Sequence, residues 1–181
     1  MRITVLPESS TVEKLRNKEH QLSAVDIICV GKIKEKYWND AIAEYSKRLS
    51  RYCKLNIIEV ADEKTPDNAP AAIEEQIKYK EGERILKNID EKAFVCALAI
   101  KGKKHSSESF AEFIKETGVR GISRIQFVIG GSLGLSGEVL GRADSQISFS
   151  DMTFPHQMMR VVLLEQIYRG YKIISGEPYH K

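Results

Sequence analysis

From Val25 onward, short unbroken apolar runs alternate with longer segments of helical periodicity. Val25–Val30 is such a run, stopped by Gly31, and predicts a buried strand. Across 35–51, Trp38, Ile42, Tyr45 and Leu49 recur four, three and four residues apart, a helix stripe. Leu55–Val60 predicts a second strand, and Thr65–Pro70 carries the chemistry of a loop. Ala71–Ile89 reads as a helix with Ile73, Ile77, Ile85 and Leu86 on one side. Phe94–Ile100 predicts a third strand ending at Lys101-Gly102-Lys103. Ser106–Lys115 is a helix opened by a capping serine, and Ile125–Ile129 a fourth strand ending at Gly130-Gly131. Glu138–Ala143 reads as a short helix and Gln146–Phe149 as a short fifth strand. Pro155–Ile174 is a long last helix, with proline in its first turn and Gly176 beyond its end. Before this regular region, Met1–Leu6 reads as a short strand and Thr11–Leu22 as a polar helix or a flexible arm.

Strands that are continuously apolar and alternate with helices predict an α/β fold: a mainly parallel sheet flanked by helices on both faces. With 181 residues, one domain is expected, over 25–181, preceded by an extension over 1–24. Ligands of such sheets bind outside the carboxyl ends of the strands, so the loops after Ile100, Ile129 and Phe149 are the places to look for chemistry.

Composition narrows the class. The chain is 42% hydrophobic and 29% charged, which argues against a disordered protein. It has no uncharged apolar run of about 18 residues and no apolar leader, so neither a membrane partner nor a secretory signal is expected. Cys29, Cys53 and Cys96 are odd in number and lack C-x-x-C spacing. A disulfide framework or metal site is therefore not expected, and a reducing cytoplasm is. The net charge of +3, from 28 basic and 25 acidic residues, does not announce a nucleic-acid binder but permits one where basic groups cluster.

Candidate chemistry sits at the strand ends. Gly130-Gly131-Ser132-Leu133-Gly134-Leu135-Ser136-Gly137 is either a ligand cradle or a tight strand–helix turn. It matches neither the dinucleotide fingerprint nor a Walker A loop. Phe149–Gln157 joins a strand to a helix N-terminus, where backbone amides are free; Thr153 reads as a helix cap and His156 as a first-turn histidine. On the last helix, Met159, Val162, Leu163 and Ile167 form a core stripe. Arg160, Glu165, Arg169 and Lys172 are read as its polar remainder, with a Glu165–Arg169 pair or a basic strip for phosphates. The tail Gly176-Glu177-Pro178-Tyr179-His180-Lys181 ends on an aromatic, an imidazole and a cation, the makings of a base platform with a phosphate contact. Lys101-Gly102-Lys103-Lys104-His105 is a basic cluster on the ligand edge. No Ser-His-Asp arrangement, H-E-x-x-H or acidic metal cluster is present.

Taken together, Val30–Trp38, Ile129–Leu135, Ser148–Gln157 and Gly176–Lys181 resemble the bacterial ribosomal RNA large subunit methyltransferase H family, of the SPOUT class, from about Val25 to Lys181. The Thr-Phe-Pro-His-Gln segment and the Pro-Tyr-His-Lys terminus are specific in combination. The resemblance implies a SPOUT fold with a C-terminal trefoil knot and a homodimer. It implies methylation of N3 of a pseudouridine in 23S rRNA, on the assembled ribosome, with S-adenosylmethionine as cofactor. Cofactor contacts carry over to Leu98, Gly130, Phe149, Ser150, Asp151, Met152, Thr153 and Phe154. N3 carries a proton that must leave, so a base is needed; Glu165 and His180 come first, ahead of His156, with Tyr179 stacking on the target base. Arg160, Arg169 and Lys181 are expected on the RNA. Members of the family begin near Val25 and lack residues 1–24. The near-balanced charge fits a folded particle better than naked RNA as target. A SPOUT methyltransferase of another RNA such as tRNA, a non-catalytic ribosome-binding factor, and a flavodoxin-like small-molecule binder stand as alternatives.

Overall fold

The computed structural model describes residues 22–179. In chain order it runs β1 (Ala24–Val30), α1 (Lys36–Leu49), β2 (Lys54–Val60), α2 (Ala71–Leu86) and β3 (Phe94–Lys104). It continues through α3 (Ser107–Val119), β4 (Arg124–Ile129), α4 (Gly137–Arg142), β5 (Ser145–Ser148) and α5 (His156–Ile174). The readings on residues 1–21 lie outside the described residues. The strands form one five-stranded sheet in the order β2-β1-β4-β3-β5. Every pairing is parallel, as the uninterrupted apolar runs imply.

Side chains alternate between the two faces of each strand. Ile27, Cys29 and Phe127 face a core closed by Leu49 of α1, Phe110 and Ile114 of α3, and Leu163, Leu164, Ile167 and Tyr171 of α5. Ile28, Val30 and Val128 face a second core closed by Ile85 of α2 and Val139 of α4. The three cysteines are separate buried thiols, and burial pushes those of Cys29 and Cys53 up to about 11 and that of Cys96 to about 12. No helix among the described residues is long and apolar enough to cross a membrane.

The amino ends of the central strands are closed by a polar network. The buried Asp26 carboxylate accepts from Asn56 Nδ2 at 2.7 Å, Arg124 Nη1 at 2.7 Å and Gln126 Nε2 at 3.0 Å. The carboxyl ends carry the irregular loops.

Three local expectations need correction. Ile73 is 39% exposed rather than part of the buried side of α2, because it lies in the first turn, short of the sheet. The edge strand β2 is half-exposed along most of its length, since only β1 pairs with it. Finally, β3 does not end at Ile100 but runs on through Lys101-Gly102-Lys103. Ile147 is registered with both Leu98 and Lys103, so β3 pairs with β5 on either side of a bulge over residues 99–102. A side chain at Gly102 would overlap the Ile147 backbone, so the bulge needs a glycine there.

Candidate active site

The carboxyl ends of β3, β4 and β5 open into a pocket of about 660 Å³, a size usual for small-molecule sites. β3 contributes Leu98 and Ile100, and the β4–α4 loop contributes Gly130 to Gly134. Ser148 to Ser150 and Met152 to Pro155 come from the β5–α5 segment, and His156 and Met159 from the start of α5. A smaller cavity of about 430 Å³ shares Phe149, Phe154 and Met159 with it and is walled beyond by His105, Phe110 and Gln166.

The glycine-rich loop is both a tight turn and a pocket wall. A Cβ on Gly130 would stand 2.6 Å from the Gly134 carbonyl oxygen, and one on Gly131 2.8 Å from Glu81 Oε2. Gly134 N–H donates to the Gly131 carbonyl at 3.1 Å and closes the turn. Across the pocket, Ser148 Oγ donates to the Ser150 carbonyl at 3.1 Å, and Met152 N–H donates to Ser150 Oγ at 3.0 Å. These bonds curl the β5–α5 loop and leave Met152 70% exposed at the rim, beside the exposed Ile100 and Phe154.

Seven of the residues expected around a cofactor meet here: Leu98, Gly130, Phe149, Ser150, Met152, Thr153 and Phe154. Asp151 does not line the pocket; its carboxylate turns outward to pair with Lys104. Thr153 is not the helix cap, because Pro155 takes the N-cap position with no side-chain bond, and Thr153 faces the pocket instead. Ile100 and the loop glycines beyond Gly130 are pocket walls outside the expected set, although the strand-end rule and the glycine spacing both point at them.

Arg160 is the main correction. It is 1% exposed and cannot meet RNA phosphates. Nη1 donates to Glu59 Oε1 at 2.7 Å, and Nη2 to the carbonyls of Val30 at 2.7 Å and Gly31 at 2.6 Å. The guanidinium thereby fastens the start of α5, and with it the β5–α5 loop, to the ends of β1 and β2. The planar fork meets three acceptors in fixed directions, which a lysine would not match. The sequence holds the signal: Arg160 falls in register with Leu163, Leu164, Ile167 and Tyr171, the buried stripe of the helix.

His156 stands half-buried beside this anchor. A Cβ on Gly31 would lie 3.8 Å from His156 Nε2 and 3.7 Å from the Asp62 carboxyl carbon. Burial, and then the charge of Arg160, hold the imidazole below its ordinary value of 6.5, so it is neutral at pH 7.

The other expected residues form a separate station further along α5. Glu165 Oε1 accepts from Arg169 Nε at 3.0 Å and Nη2 at 2.6 Å, and Glu165 Oε2 accepts from Tyr179 Oη at 3.0 Å. The Arg169 guanidinium sits 4.7 Å from the centre of the Tyr179 ring, and Tyr168 meets that ring edge-on. Burial and the Glu165 carboxylate push the Tyr179 phenol up, so it stays protonated and donates. The tail is tied down by Glu177, which accepts from Tyr52 Oη at 2.9 Å and from Lys172. Glu165, Arg169 and Tyr179 do not line the pocket of their own chain. His180 and Lys181 lie outside the described residues. On the pocket edge, Lys101 and Lys103 are exposed and make no ion pair among the described residues.

A family model described as a predicted SPOUT methyltransferase matches residues 24–180. The ribosomal RNA large subunit methyltransferase H of Bifidobacterium adolescentis is 65% identical over 157 residues, covering 87% of this chain and 99% of the relative. That of Clostridium novyi is 64% identical over the same shares. Among solved structures, the SpoU methyltransferase AviRb from Streptomyces viridochromogenes aligns with a TM-score of 0.43 at 11% identity, over 92% of this chain and 65% of that one. With 99% of both methyltransferase H relatives matched, and the matched span containing both the strand-end pocket and the Glu165–Tyr179 station, the chain belongs to the SPOUT methyltransferases, in the ribosomal RNA large subunit methyltransferase H family.

Proposed function

We propose that this protein transfers a methyl group from S-adenosylmethionine to N3 of a pseudouridine in 23S rRNA, as a cytoplasmic homodimer acting on the assembled ribosome. The observation that carries the reading is the strand-end pocket, which gathers Leu98, Gly130, Phe149, Ser150, Met152, Thr153 and Phe154. Its chemistry fits the donor. Leu98, Phe149 and Phe154 give apolar walls for a flat base, and the side chain-free Gly130-Gly131 turn offers main-chain groups for its edges.

When bound, S-adenosylmethionine supplies an electrophilic methyl carbon on a sulfonium. The chain's own residues must then hold the acceptor base in line and take the N3 proton. Glu165, oriented by Arg169 and Tyr179, is a carboxylate able to accept it, and His180, next to Tyr179 in sequence, is the second candidate. Tyr179 offers a ring for stacking on the base, and Arg169 and Lys181 offer positive charge to the RNA. Lys101 and Lys103 take the pocket-side phosphate role that Arg160 cannot fill.

Glu165 lies roughly 9 Å further along the helix axis than Met159, at 1.5 Å per residue. One chain therefore keeps its cofactor pocket and its Glu165 station apart. A homodimer closed over the exposed rim of Ile100, Met152 and Phe154 would cover those apolar groups. For the reaction to proceed in such a dimer, its symmetry has to set the partner's Glu165 and the partner's Tyr179 at the pocket.

The test is transfer of tritiated methyl from S-adenosylmethionine to ribosomes lacking the modification, with free rRNA and tRNA alongside. Label confined to large-subunit RNA of ribosomes is expected. Label in tRNA, or cofactor binding without transfer to any RNA, would replace the reading with one of its alternatives.

A further inference from the structure

Glu81 is a buried acid that the chemistry above leaves unused. It lies in α2 and is 4% exposed. Its Oε1 accepts the Glu63 N–H at 2.9 Å. Its Oε2 has no hydrogen-bond partner among the described residues and stands 2.8 Å from where a Cβ on Gly131 would be. The next residue, Gly82, is packed so closely on Ser136 that a side chain there would overlap the Ser136 hydroxyl. That hydroxyl caps α4 by accepting the Val139 N–H at 3.4 Å. Two consecutive residues of α2 thus bear on the two ends of the 131–136 loop, whose first half walls the cofactor pocket. A further tie joins the Thr65 and Ser132 hydroxyls at 3.4 Å.

Leaving a buried carboxyl oxygen unpartnered is unfavourable, and an aliphatic side chain would fill the same volume without that penalty. The two contacts give the acid a purpose. We propose that Glu81 is a positioning residue for the cofactor loop: one oxygen holds the β2–α2 loop at Glu63, the other is wedged against Gly131, and together they keep Gly130–Gly134 in the shape that receives S-adenosylmethionine. The inference rests on the pocket being the S-adenosylmethionine site. The geometry uses the size and acceptor of the side chain rather than its charge. Burial pushes the carboxyl above its ordinary value, in keeping with that. A glutamine therefore replaces it and an alanine does not.

Calorimetry with S-adenosylmethionine and steady-state kinetics on ribosomes test this. Glu81→Ala is expected to weaken cofactor binding by roughly tenfold and to raise KM for the cofactor alike, as misplaced positioning groups do. At saturating cofactor, kcat and KM for ribosomes stay near wild type, and Glu81→Gln restores cofactor affinity. Gly131→Ala supplies a second readout, because its Cβ meets Glu81: it is expected to weaken binding by roughly tenfold in the wild-type background and far less beside Glu81→Ala, since contacting residues are not additive. If Glu81→Ala does not fold, Glu81→Asp withdraws the oxygen by one methylene and serves both comparisons. Wild-type affinity in Glu81→Ala or Glu81→Asp, no recovery in Glu81→Gln, full additivity with Gly131→Ala, or a parallel loss of cofactor binding, kcat and ribosome KM overturns the proposal. A wild-type protein that binds no S-adenosylmethionine would instead remove the cofactor reading itself.

Discussion

Arg160 and Arg169 share one helix, and both read from sequence as cations for RNA. Arg160 is sealed against two strand-end carbonyls and Glu59, and its helix neighbours His156 and Met159 line the pocket. Arg169 is part-exposed, pairs with Glu165 and lies over the Tyr179 ring. The pocket end of α5 is held by main-chain acceptors and fixed glycines. Beyond the backbone bonds that close the helix end, the tail is held by side chains, Glu177 with Tyr52 and Lys172. Damage at the first end should therefore appear as lost folding, and damage at the second as lost turnover.

The largest expected effect tests the first half of that contrast. Arg160→Ala leaves the Val30 and Gly31 carbonyls without their buried donor, while Glu59, a third exposed, turns to water. Each buried acceptor left unsatisfied costs about 1–3 kcal/mol, to be read from urea unfolding. Arg160→Lys is expected to recover only part of this, for want of the fork. Arg169→Ala, whose pair with Glu165 is part-exposed, is expected to cost about 1 kcal/mol or less. Equal costs at the two arginines would break the comparison.

Next comes turnover. Glu165→Gln keeps the size of the side chain but removes its capacity to take a proton. A lost general base lowers kcat by about 100-fold or more, with the cofactor dissociation constant and the urea midpoint close to wild type. A variant that turns over normally would take the proton-acceptor role away from the tail station. One that instead loses cofactor affinity would show that the two ends of α5 are not separable.

The same contrast separates what is legible in the amino-acid sequence from what is not. The alternation of apolar runs and stripes locates every strand and helix of the sheet, because burial on both faces leaves a continuous apolar signature. The pocket loops follow from the rule on strand ends. The continuation of β3 through Lys101-Gly102-Lys103 is hidden, since its pairing with β5 is between backbones and leaves no mark in side-chain polarity. Arg160 misleads for a related reason: its charge suggests the surface, while its spacing from Leu163 and Ile167 places it on the buried stripe. Glu81 and the glycine it faces are distant in sequence, and only the packing of α2 on the β4–α4 loop brings them together. The separation of Glu165 from its own pocket is likewise a matter of helix length and direction, which periodicity does not report.

The smallest expected effect concerns pH, and it too belongs to the pocket end. Folding lowers the His156 pKa from its ordinary 6.5, by burial first and by the Arg160 charge next, against opposing contributions from Asp62 and Glu35. His105 is lowered as well, by burial and by Lys103. As pH falls through about 6.5, the unfolded chain takes up these protons before the folded one does, so the unfolded state binds more protons and stability drops. The drop continues until the folded imidazoles themselves titrate; above pH 7 neither state is protonated and the contribution is complete. The carboxylates of Glu63 and Glu177, held low by Arg84 and Lys172, lose their contribution only as pH falls below the ordinary 4.5, outside this window. Glu81, raised by burial, acts in the opposite sense as pH falls toward 4.5 from above. All three are common to wild type and His156→Gln, so the difference between the two proteins isolates the imidazole. Urea midpoints at pH 7.5, 6.5 and 5.5 should fall more steeply for wild type than for His156→Gln, with His105 and the opposing Glu81 contributing to the slope left in the variant. Identical slopes would mean that the pocket end does not hold His156 neutral, and that the closed environment assigned to the start of α5 does not extend beyond Arg160.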